Sequence, residues 1–151
     1  MALGDMTLFD EFPTNEGQAK HNFDSDQYYV GLVTGVTPDK AVASPSWDDY
    51  SSFQISQAGG YTGPVLQDVE ALSEAAGVTT LRMKSFTVPK SVSGQPSATC
   101  WGILYNGTSA GNPAVLFMEL GAVDIQNSQV DFLYNNAAID SYGTIFTKYA
   151  A

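Results

Sequence analysis

Cysteine is almost absent from this chain: Cys100 stands alone among 151 residues. An internal disulfide is therefore excluded, and so is a cysteine-rich zinc site. Positive charge is nearly as scarce. Six basic residues, among them the single arginine Arg82, face 16 acidic ones, and the formal net charge is −10. Nucleic-acid binding needs Lys and Arg to displace phosphate counterions, so no contact with nucleic acid is expected. An anionic membrane surface repels such a chain for the same reason. Long apolar runs are missing too, since Ala114 to Met118 falls far short of the ~20 residues that span a bilayer. The start, Met1-Ala2-Leu3-Gly4-Asp5, has neither the basic residues nor the apolar stretch of a signal peptide. The expectation is a soluble protein made in a reducing cytosol.

Charged residues amount to only 15% of the chain, against a usual ~25%. Gly, Ser, Thr, Asn and Gln take their place, the mix found in domains rich in strands and turns. At roughly 100–200 residues per domain the length fits one domain. A domain of ~150 residues buries about 68–70% of its unfolded surface, enough to fold without staples.

Apolar residues at 6, 8, 9 and 12 have helical spacing, and Pro13 is read as the stop of that helix. Residues 1–25 are accordingly expected to form a short N-terminal helix or arm, and residues 26–151 the body. In the body, Gln27 to Thr34 alternates Tyr28, Val30 and Leu32 with Tyr29, Gly31 and Val33. Phe53 to Ile55 reads as a short strand ending at the turn Gly59-Gly60-Tyr61-Thr62-Gly63-Pro64. Val65 to Ala76 fits helix or strand, with strand preferred. Val78 to Met83 and Ser85 to Val88 follow as short strands. Thr99, Trp101, Ile103 and Tyr105 alternate with Cys100, Gly102 and Leu104, whereas Ala114 to Leu120 is apolar on both faces. The latter is the mark of a central strand covered from both sides, and the short loop between the two predicts a hairpin. Val130 to Leu133 and Tyr142 to Phe146 complete the set. The pattern predicts an all-β fold, a sandwich or barrel of short antiparallel strands.

Motifs that could carry chemistry are few. Gly107-Thr108-Ser109-Ala110-Gly111 is a literal G-x-S-x-G, which in a hydrolase sits on a strand-to-helix turn with the histidine following. Here a strand follows, and the only histidine, His21, lies far upstream. Small residues are also what a hairpin loop needs, and that is the reading adopted. Asn106-Gly107-Thr108 has the glycosylation pattern but likewise reads as a turn. Asp24-Ser25-Asp26 begins like a calcium loop, then fails, because Tyr28 stands where the third ligand belongs. With Asp48-Asp49 it reads as turn aspartates accepting local backbone N–H groups; a calcium site joining both pairs is the alternative. Cys100 reads as a buried apolar residue. Trp47, Tyr50, Tyr61, Tyr134 and Tyr142 fall in or near turns; they read mostly as core lids and turn anchors, with sugar stacking or a protein interface as the alternative. No cofactor and no catalytic residue is expected.

Several segments, in order, resemble a family of tailed-bacteriophage virion structural proteins. His21-Asn22-Phe23-Asp24-Ser25-Asp26 with the strand after it is similar to that family's "H-N-[apolar]-x-S-D-x-x-x-V-x-L". Gly59 to Gly63 looks like its "G-x-G-Y-T-x-G" turn, and Trp101 to Thr108 like its "[aromatic]-x-[apolar]-L-Y-N-x-T" strand and loop. Phe117 to Gly121 sits where the family has an apolar strand ending in Gly, and Val130-Asp131-Phe132 resembles its late "V-D-F" strand. Pro13 and Pro64 depart from the pattern. The resemblance implies a non-enzymatic virion protein, foremost a capsid cement or decoration protein that binds and stabilises the assembled head. Its partners would be the major capsid protein and itself, as a trimer, and its place the capsid surface after synthesis in the host cytoplasm. A tail, neck or fibre component, including a carbohydrate-binding receptor module, is the alternative. Met6, Leu8, Phe9 and Phe12 are the expected contact residues to the shell or a neighbouring subunit.

Overall fold

In the computed structural model, which describes residues 4–55, 57, 60–90, 98–123 and 127–149, the alternating segments become strands. In chain order the elements are β1 (Met6–Leu8), α1 (Phe12–Gly17), β2 (Tyr28–Thr34), β3 (Val65–Leu66), β4 (Val69–Ala75) and β5 (Val78–Lys84), then β6 (Phe86–Val88), β7 (Ala98–Asn106), β8 (Ala114–Val123), β9 (Val130–Phe132) and β10 (Tyr142–Tyr149). Short 3-10 turns lie at Trp47–Asp49, Ser51–Phe53 and Tyr134–Asn136. A five-stranded sheet has the order β1-β8-β7-β2-β3; a three-stranded sheet, β10-β5-β4, and the pair β6-β9 complete the fold. Every pairing is antiparallel. The chain is all-β, as its composition and alternation predict.

Both faces of the large sheet are covered, each by different material. Tyr28, Val30, Leu32, Cys100, Leu104, Leu116 and Met118 pack with Leu81, Met83, Val88, Phe132 and Ile145 of the smaller sheets, which gives the sandwich its main core. On the outer face, Val33, Trp101, Ile103, Tyr105 and Phe117 meet Phe9, Trp47 and Tyr50 in a second core. Two strand glycines permit this. A methyl group on Gly31 would sit 2.1 Å from the Trp47 ring, and one on Gly102 would sit 2.2 Å from Phe132. A glycine inside an apolar strand marks such a close approach.

The N-terminal segment departs from the expected helix. Met6 to Leu8 is a strand, paired to β8 with Met6 opposite Met118. Phe9 turns into the outer core and Phe12 into the main one. Apolar residues at 6, 8, 9 and 12 thus reflect one strand and two cores rather than a helical stripe. Pro13 lies in the first turn of α1; it opens the helix instead of ending one, because its missing N–H is not needed there. The expected strand at Phe53 to Ile55 is likewise a 3-10 turn, followed by one bridge from Gln54 to Val33. The Asp- and Ser-rich run before it favours i→i+3 bonds, seen from Tyr50 N to Trp47 O and from Phe53 N to Tyr50 O.

Candidate functional site

At one end of the large sheet the segment before β2 meets the β7–β8 loop through side chains. Asn106, the last residue of β7, is wholly buried. Its Nδ2 donates to the Lys20 carbonyl at 2.9 Å and to Asp26 Oδ2 at 2.7 Å. Its Oδ1 accepts from the backbone N–H groups of Thr108 and Ser109. Asp26 Oδ2 also accepts from Asn22 N, and Asn22 Oδ1 from Asp24 N. Thr108 Oγ1 accepts from Gln27 N at 2.8 Å, and Gln27 O accepts from Gly107 N. Asn106 therefore uses its full hydrogen-bonding capacity to clamp two loops that lie far apart in sequence.

His21 sits under this clamp, 6% exposed, with its ring centroid 5.3 Å from Phe12, 5.9 Å from Phe23 and 6.1 Å from Tyr28. Neither ring nitrogen makes a protein hydrogen bond, and the buried Tyr28 hydroxyl makes none either. Burial lowers the His21 pKa to about 4; Asp26 acts against this and Lys20 with it. Burial likewise raises the Tyr28 phenol, with Asp26 adding to the effect.

Ser109 and His21 form no nucleophile–base pair, since the imidazole nitrogens have no partner at all. Asp49 Oδ2 accepts from Ser46 N and Oγ, and Asp48 Oδ1 accepts from Asn112 Nδ2 at 3.4 Å. Among the described residues no three His, Cys, Asp or Glu side chains gather to hold a metal ion. The two aspartate pairs serve separate turns.

Four of the five turn aromatics are interior: Trp47 is 8% exposed, Tyr50 5%, Tyr61 1% and Tyr134 0%. Trp47 stacks on Tyr105 with centroids 5.0 Å apart, so one of its ring faces is taken by protein. The Tyr61 hydroxyl donates to Gln54 Oε1 and accepts from Leu32 N, and Tyr134 Oη donates to Gln67 Oε1 at 2.6 Å. These rings are core and turn anchors, not a platform for sugars. Gly59, at the head of the turn motif, lies outside the described residues.

Of the four expected contact residues, Phe9 and Phe12 are buried in the chain's own cores, while Met6 and Leu8 are half-buried. The segment is thus an edge strand whose two phenylalanines anchor it to the cores. The surface also has a recess of about 300 Å³ between α1, the Ser44–Asp48 segment and the β7–β8 loop, lined by Asn15, Lys20, Ser46, Asp48 and Pro113. Lys20 Nζ donates to the buried Asn15 Oδ1 at its wall. The tight glycine contacts have one signal in the sequence, glycines inside apolar strands; the Asn106 clamp has none.

Cys100 is buried, and burial pushes its thiol up to about 12. The thiolate is the reactive form, so a thiol reagent such as DTNB should leave the folded protein unlabelled and titrate one thiol after denaturation. Rapid labelling of the native chain would contradict the burial.

No known protein family, curated protein or solved structure matches this chain.

Proposed function

We propose that the chain is a non-enzymatic virion protein of a tailed phage, a cement protein that binds the assembled head. The observation that carries this reading is the convergence of the motif segments. Asn22 and Asp26 of the first motif and Asn106 and Thr108 of the third meet in one clamp. Phe132 of the last packs on Gly102 of the third. Three of the five segments behind the family resemblance thus pack against one another.

Charge supports the same role. Lys40, Arg82 and Lys84 are each ion-paired, so much of the small basic complement is already matched and the surface stays strongly acidic. Acidic surfaces keep large particles apart in solution. A protein that binds the closed shell but not loose subunits stabilises the shell by mass action. Binding at three-fold junctions calls for a cyclic trimer, with the major capsid protein as partner.

Fractionation of purified virions into heads and tails tests the proposal. This protein should be found with heads at a simple ratio to the major shell protein. A few copies with the tails would move it to the neck, tube or fibre, and absence from both would end the virion reading. Truncation of residues 1–12 is a poor docking test, because it removes Phe9 and Phe12 from the cores.

A further inference from the structure

Among the described residues, the buried polar side-chain atoms without a protein hydrogen bond are both ring nitrogens of His21 and the Tyr28 hydroxyl. They lie together. Other buried polar groups are satisfied: Asn106 fully, Tyr134 by Gln67, and Ser85 through Tyr134 N. A neutral imidazole tolerates such a site; an imidazolium there has two donors and no acceptor, which is far less favourable.

The walls around His21 differ in strength. Tyr28 belongs to β2, which is locked to β7 from Tyr28 through Thr34. Phe12 belongs to α1, a six-residue helix whose buried residues are Phe12 and Asn15. Phe12 holds α1 to the sandwich through His21, Phe23 and Phe146, with centroids 5.3 Å, 6.1 Å and 5.3 Å away. When His21 must reach water, α1 is the wall that yields.

We propose that His21 is an acid trigger beneath α1: protonating the buried ring releases the segment from Phe12 to Ala19 while the Asn106 clamp and the two principal sheets stay closed. From the turn before β2, Asp26 favours the proton; Lys20, after α1, disfavours it. On α1, Glu16 acts on the adjacent Tyr28. β2 contributes the Tyr28 phenol and β10 the uncharged Phe146. Desolvation outweighs the attraction of Asp26.

The sign follows from linkage. The packed ring titrates near 4 and the released ring near 6.5, so between these values the released state binds more protons. The closed state is fully favoured above pH 6.5 and progressively lost as pH falls toward 4.

Hydrogen exchange of the full chain from pH 7 to 4, corrected for intrinsic rates, is the test. Opening of the Phe12–Ala19 amides should increase by about 100-fold over that range, the ratio set by those two titration points, while β7 and β8 keep their protection. His21→Phe, with every carboxylate intact, should abolish the increase, as should His21→Gln if the phenylalanine variant folds poorly. The Cε1–H resonance of the single histidine should titrate near pH 4 in the wild type. The proposal is overturned by the same opening in either variant, by loss of β7 and β8 protection together with the segment, or by a resonance midpoint near 6.5.

Discussion

Replacing Asn106 by alanine should lower the melting temperature by roughly 6–16 °C. The substitution removes both donors that reach the Lys20 carbonyl and Asp26, and the acceptor for Thr108 N and Ser109 N. A buried polar group left without its partner costs about 1–3 kcal/mol. Water can reach the exposed loop around Thr108, so the groups do not all count in full, and about 3–4 kcal/mol is expected. At 2–4 °C per kcal/mol for a domain of this size, that gives the stated range. Asn106→Asp separates the causes, since it keeps the shape but sets a second carboxylate where an amide donor stood 2.7 Å from Asp26 Oδ2. At neutral pH it should be at least as damaging as alanine. A thermal scan of either variant within about 2 °C of the wild type would show that the clamp does not hold the loops.

Gly143→Ala is expected to be comparably severe for an unrelated reason. A methyl group there would lie 1.8 Å from the Tyr134 carbonyl oxygen and 2.6 Å from its carbonyl carbon. Backbone cannot swing aside as a side-chain tip can, so β10 and the Tyr134–Asn136 turn must separate. Tyr134 is wholly buried and bonded to Gln67, so the separation reaches the centre of the sandwich. Overpacking typically costs 1–3 kcal/mol, and contact with fixed backbone puts this case at about 3 kcal/mol or more. Urea denaturation should show a lower midpoint with an unchanged slope. A midpoint equal to that of the wild type would rule out the close approach.

Strands are legible in this sequence where alternation runs long enough to be read. β2, β7 and β8 have 7, 9 and 10 residues, and the doubly apolar character of Ala114 to Leu120 correctly marks a strand covered on both sides. The N-terminus is harder because β1 has three residues and α1 six, both too short to establish a period. Phe9 and Phe12 look alike in sequence but enter different cores, a tertiary fact that no local pattern encodes. Turn aspartates are legible as acceptors of nearby N–H groups, as Asp26 and Asp49 prove to be. Asn106 is not, since Asn-Gly-Thr looks like an exposed turn and its burial depends on a loop some eighty residues earlier in the chain. Trp47 and Tyr50 are legible as core lids, but not which core they close: their segment folds back over the outer face of the large sheet.

The strand order also sets when the fold can form during synthesis. β1 pairs with β8, β2 with β7, and β5 with both β4 and β10. Apart from the β4–β5 and β7–β8 hairpins, each of these partners is made long after the strand that needs it. At about 5–20 residues per second of translation, Met6 waits roughly 6–22 seconds for Met118, and β5 waits for β10. Until then β1 leaves the ribosome unpaired and β2 has only the two-residue β3 beside it, the state most open to chaperones and to self-association. Closure of the sandwich therefore waits until β8 and β10 have both been made.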